Sequence, residues 1–163
     1  AAVRGKRLAD ADRHHAELAR LAADRALGEL MVWDRYPLSL GVRIADHTVG
    51  AELALARGDH PAAIRALEAA VKIEDSIPYD EPPGWHAPVR QTLGAALLAA
   101  GKPADAERVY REELRRNPVN GWSLHGLAAA LDAQGRKRDA AAARREQQKA
   151  WVHADVRLAS SRL

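Results

Sequence analysis

The residues best equipped for chemistry fall in two stretches. The first, Tyr79-Asp80-Glu81-Pro82-Pro83-Gly84-Trp85-His86-Ala87-Pro88-Val89-Arg90-Gln91, sets two carboxylates, an indole, an imidazole, a guanidinium and an amide within a short reach of chain. The second, Asn120-Gly121-Trp122-Ser123-Leu124-His125, adds another indole and another imidazole. Tryptophan faces offer a large contact area at low entropy cost and are enriched in binding hot spots. Arg90 has the planar fork that grips a carboxylate. His86 and His125 with Glu81 are the candidate metal ligands, since imidazole nitrogens and carboxylate oxygens are what zinc takes when no thiolate is present. A structural role for the same residues is as concrete. Prolines stiffen a linker, Trp85 fills space beneath it, and an Arg90–Glu81 pair fixes its course.

Other combinations carry less. His14 and His15 are neighbours, and neighbours on a helix point about 100° apart, so they do not chelate one ion; Asp10 and His14 share a face. The remaining histidines have no ligand spacing, and there is no HExxH. Ser123, His125 and Asp132 lie along one helical stretch, which does not build a strained nucleophile. Asp80 and Glu81 are adjacent and cannot face each other across a substrate. There is no phosphate-binding glycine loop, no GxSxG and no dinucleotide fingerprint. The balance is against an enzyme, with no catalytic residue and no cofactor expected.

The elements that position these residues are read from spacing. Thirty-four residues separate Leu93 from Leu127, Gly101 from Gly135 and Ala106 from Ala140. Each set follows one grammar. A bulky and a small residue open a first helix, a glycine ends it, an alanine admits a second helix closely, and Tyr110 packs between. Pro118 stops the second helix. Gly50-Ala51, Gly58, Ala63 and Leu67 fill the same slots earlier in the chain, with a glycine step of 43 rather than 34 residues. The surplus is the stretch Pro78 to His86. Arg144 stands where the aromatic of the last pair belongs.

This grammar resembles the tetratricopeptide repeat (TPR), whose period is 34 residues. The string YDEPPGW…PVR…NGW resembles, more specifically, the C-terminal repeats of long bacterial TPR proteins, over about Ile44 to Val156. The resemblance implies an all-α fold: a right-handed superhelix of antiparallel helix pairs, a TPR helix-turn-helix solenoid. One domain is expected, divided into a partial N-terminal repeat (1–28, with Gly5 as its turn glycine), a linker (29–40), a repeat (41–77), a proline-rich loop (78–86), two repeats (87–118 and 119–148) and a C-terminal capping helix (149–163). First helices line the concave, ligand-bearing face of such arrays. In register, the inward positions are Thr48, Gln91 and His125, then Glu52, Ala95 and Ala129 one turn on, and Ala45, Pro88 and Trp122 one turn back. The expected groove residues are Glu52, Trp85, His86, Arg90, Gln91, Trp122 and His125. The lysine and asparagine set of the TPR carboxylate clamp is absent.

Composition agrees. Apolar residues make up 47% of the 163 residues, yet phenylalanine is absent and aromatics are 4%, so small side chains must carry close helix packing. Zero cysteines exclude disulfides and thiolate sites. The net charge of +3 comes from 25 basic and 22 acidic residues with interspersed signs, which argues for a protein or peptide partner rather than nucleic acid. No apolar run approaches the ~20 residues of a membrane span. The first methionine is Met31, so upstream repeats are expected. One alternative is a small-molecule or metal-binding site, possibly enzymatic, built from the 80–90 loop and the 122–125 helix start; the other is self-association, because an exposed repeat end stacks on a copy of itself. The compartment stays open, with the cytoplasm slightly favoured.

Overall fold

A computed structural model describes residue 3 and residues 7–162 of the chain; Gly5, the expected turn glycine, lies outside them. Among the described residues there are eight helices, α1 (Leu8–Ala22), α2 (Ala26–Glu29), α3 (Leu38–Ala56), α4 (His60–Ser76), α5 (Val89–Ala99), α6 (Pro103–Arg116), α7 (Gly121–Ala133) and α8 (Lys137–Ala150). The chain forms two compact units, Ala1–Val89 and Arg90–Leu163. Within each unit, helices near in sequence pack on one another, α1, α2 and α4 on α3 in the first and α6 and α8 on α7 in the second, as in a helical-repeat solenoid.

Three turns repeat one another. Gly58, Gly101 and Gly135 have φ of 77°, 70° and 75°, the left-handed region that an L side chain resists. The next N–H in each case reaches back five residues: Asp59 to Ala54, Lys102 to Leu97 and Arg136 to Leu131, all at 2.9 Å. This is the Schellman closure, which satisfies carbonyls left open at a helix end. Asp59 then caps α4 by accepting from the Ala62 N–H at 3.0 Å. Pro61 and Pro103 occupy the first turns of α4 and α6, where the missing N–H costs nothing. One glycine therefore suffices to reverse the chain.

Ala63, Ala106 and Ala140 are fully buried, as the close approach of paired helices requires. In the first unit, α1 packs on α3, and α3 pairs with α4 around Ile44, Ala51 and Leu67. Asp12 and Arg57 tie α1 to the end of α3 through two contacts of 2.6 and 2.7 Å. In the second unit the fully buried Tyr110 fills the place between α5, α6 and α7. A β-carbon on Gly94 would lie 2.3 Å from its ring, and one on Gly126 2.2 Å. Glu107 of α6 links to the α7–α8 turn, accepting from Gln134 and from Arg136 at 2.8 Å as well as from Arg111 of its own helix.

One expectation needs correction, and the linker has a structure of its own. It holds a two-stranded antiparallel ribbon, β1 (Met31–Val32) with β2 (Tyr36–Pro37). Trp33 and Asp34 both have positive φ, 48° and 56°, and the Arg35 N–H closes on the Val32 carbonyl at 2.9 Å. These are the demands of a tight hairpin turn. The correction concerns the C-terminal cap. The helix α8 ends at Ala150, and the residues after the Trp151 turn are not helical. Trp151 leaves helical geometry and lays its indole against Gly121, and Val152 and Val156 add β-branched positions that weaken a helix.

Two glycine substitutions are expected to move stability in opposite directions. Gly41→Ala, inside α3 with open space around the new methyl, should stabilise by about 0.5–1 kcal/mol. Gly94→Ala must push the Tyr110 ring and should cost about 1–3 kcal/mol. Paired denaturant titrations read both signs. A pH test addresses Glu107. Burial raises its pKa, but hydrogen bonds from Gln134, Arg111 and Arg136 outweigh this and hold the carboxyl below its ordinary value. A depressed carboxyl stabilises above its unfolded pKa, and that stabilisation is lost as pH falls through the folded value. Stability should therefore drop below about pH 4, and Glu107→Gln should flatten that limb.

Candidate functional site

The expected groove residues divide between the two units: Glu52, Trp85 and His86 belong to the first, Arg90, Gln91, Trp122 and His125 to the second. Thr48 and Glu52 are half-buried on α3, and the Thr48 hydroxyl is turned onto its own helix, donating to the Ile44 carbonyl at 2.7 Å. The loop from Pro78 to His86 is anchored within its unit. Arg35 donates to the Tyr79 carbonyl at 2.7 Å and its Nε lies 3.3 Å from Asp80. The Tyr79 hydroxyl donates to Glu81 at 2.5 Å. Gly84 abuts the buried Tyr36, whose hydroxyl would be 2.5 Å from a β-carbon there. Trp85 is half-buried and stacks at a tilt on the exposed His86, with ring centroids 4.9 Å apart. The loop thus presents an indole–imidazole pair on a pinned backbone.

In the second unit, Arg90 and Gln91 are buried rather than displayed. Gln91 donates its amide to Asn120 Oδ1 at 3.1 Å, and the same oxygen caps α7 by accepting from the Ser123 N–H at 3.1 Å. Gln91 therefore positions the start of α7. Trp122 is half-buried and meets Trp151 edge-on, with centroids 4.8 Å apart at 81°. Ser123 is fully buried and its hydroxyl finds no hydrogen-bond partner, so it is not presented as a nucleophile.

His125 opens onto a cleft of about 370 Å³ between α7 and α8. Ala128 and Ala129 line its floor, while Asp132, Arg144 and Gln147 supply polar groups. Arg144 forms an ion pair with Asp132 across the cleft. Burial lowers the His125 pKa, the Arg144 charge lowers it further, and a hydrogen bond with Gln147 opposes them. The neutral imidazole offers one donor and one acceptor. The size is at the small end of the ~300–1,000 Å³ typical of ligand pockets, enough for one or two side chains of a partner.

The metal candidates gain nothing from the geometry. Among the described residues, no group of three or more His, Asp or Glu could hold a metal ion. Asp10 accepts from Arg13 at 2.7 Å and His14 contacts Glu17 at 3.4 Å, so both are engaged along their own helix. Sequence reasoning missed Asp132, Arg144 and Gln147 as one constellation, although Arg144 in the aromatic slot was the signal. It also missed the contact between the Tyr110 and Ser161 hydroxyls, which meet at 2.6 Å from positions far apart in the chain.

No family model matches the chain. No solved structure matches it. It is similar to the cellulose synthase operon protein C of Xanthomonas axonopodis pv. citri (strain 306), at 41% identity over 92 residues. That stretch is 56% of this chain and 5% of the relative, so the chain spans a small fraction of that protein. No described helix is long and apolar enough to cross a membrane.

The electrostatics of the cleft can be titrated. Arg144→Ala should raise the His125 pKa by removing a cationic neighbour, and Gln147→Ala should lower it by removing a hydrogen bond. Imidazole chemical shifts followed against pH by NMR distinguish the two directions.

Proposed function

We propose that the chain is a TPR-type scaffold module that binds a peptide or protein partner through first-helix faces. The observation that carries this is on α7: a half-buried tryptophan and a half-buried histidine share one short helix beside an open, polar-rimmed cleft. In the first unit, Glu52 on α3 and Trp85 and His86 on the loop are the contacts this reading assigns. Arg90 and Gln91 act from beneath, as buried positioning groups. A polypeptide suits this surface better than nucleic acid. Many of its arginines already pair with acids along their own helices, as Arg115 and Arg116 do with Glu112 at 2.8 and 2.7 Å, and a nucleic-acid surface needs a free basic stripe.

The relative's name points to the first partners to try. Proteins encoded with a bacterial cellulose synthase are the natural test set. Purified members titrated calorimetrically should include one that binds. Trp122→Ala and His125→Ala should each weaken it by about fivefold or more, a hot-spot loss of about 1 kcal/mol, with the helical spectrum retained. If no member binds, or if binding is indifferent to both substitutions, the reading fails.

A further inference from the structure

The segment 151–162 is held at its two ends and is exposed from Val152 to Arg157, with Leu158 and Ser160 half-buried on the approach to the second anchor. At one end the Trp151 indole seats on Gly121 and against Trp122. The fit depends on a missing side chain, because a β-carbon on Gly121 would lie 1.8 Å from Trp151 Nε1. At the other end Ser161 is 2% exposed. Its Oγ lies 2.8 Å from the Gln91 carbonyl and 2.6 Å from the Tyr110 hydroxyl. The carbonyl can only accept, and serine has a single proton. Ser161 therefore donates to Gln91, and Tyr110 donates to Ser161. Between the anchors, Val152 to Arg157 are all exposed, with Val152 at 71% and Val156 at 56%. Such a segment contributes little to the core and has two discrete points of attachment.

We propose that residues 151–162 are the built-in occupant of a polypeptide-docking surface on α5, α6 and α7. The partner that displaces them is an extended segment bearing an aromatic residue and, about ten positions on, a serine or threonine. This rests on the partner-binding reading above and specifies its ligand. The aromatic takes the Gly121–Trp122 seat, and the hydroxyl completes the relay from Tyr110 to the Gln91 carbonyl. Because the occupant is tethered, its effective concentration is of millimolar order. A free segment must therefore compete with the tail, and release of the tail unmasks the surface.

The test uses the full chain and a fluorescently labelled peptide with the sequence of residues 150–162. Anisotropy titrations should show at least tenfold tighter binding to Trp151→Ala/Ser161→Ala than to the unaltered chain. Adding Gly121→Ala to that variant, which fills the seat while favouring the helix, should abolish the gain. No binding to the folded double variant overturns the proposal, as does binding to the seat-filled triple variant that is as tight as to the double variant. Should the double variant lose its helical spectrum, Gly121→Ala alone decides. Trypsin should then cleave after Arg157 faster than in the unaltered chain, and an unchanged rate overturns the proposal. The probe needs no protein from a cellulose synthase operon, so its failure and the failure of the partner search are read separately.

Discussion

The second unit depends on one aromatic ring in a slot that no side chain can enter. Tyr110 is fully buried, and both walls of its slot are glycines, Gly94 on α5 and Gly126 on α7. Helix α6 approaches its neighbours as closely as it does because nothing projects from those walls. Bulk on one helix is matched by its absence on two others, which close packing demands. The ring also brings an obligation. A buried hydroxyl without a partner costs about 1–3 kcal/mol, and burial pushes the Tyr110 phenol up to about 12, so it stays a donor. Ser161 meets that demand, and a non-helical tail is thereby drawn into a helical fold.

The same period is read out differently in each hairpin. Leu67, Tyr110 and Arg144 occupy the equivalent place on α4, α6 and α8. The first two are fully buried; the third reaches solvent and pairs with Asp132. Exchanging an aromatic for a cation converts a packing position into one wall of a cleft. That cleft lowers the His125 pKa through burial and the adjacent guanidinium. A repeat fold thus gains a chemically distinct surface by a single departure from its pattern.

The hairpins were legible because their causes are local. Gly101 and Gly135 announce turns, and Ala106 and Ala140 announce close helix approach, at a spacing of 34 residues that sequence alone reveals. What stayed hidden depends on contacts between distant positions. The cap failed because Trp151, Val152 and Val156 look like an apolar face until Gly121 is seen to offer the indole a better place. The strand pair at Met31 and Tyr36 is too short to show alternation, and its turn uses Trp33, which no turn pattern favours. Gln91 looked like a ligand contact because its register pointed inward, and Arg90 because its guanidinium follows the proline-rich loop; register and proximity give a face of a helix but not the depth of burial. The Tyr110–Ser161 contact had no signal, since a serine and a tyrosine so far apart in sequence have no spacing to read.

The loop from Pro78 to His86 carries the residues in excess of the repeat period, and it is held by Arg35 in the turn of the strand pair and Tyr36 in its second strand. Helical-repeat proteins lengthen and shorten by copying whole units. A copy that took the loop without residues 31–37 would inherit a long, proline-stiffened excursion with nothing to hold Tyr79 or to cover Gly84. A copy that took the strand pair alone would carry an arginine and a tyrosine without their receptors. The two segments are therefore heritable only together, and shuffling of such repeats across generations would preserve them as a pair or discard both.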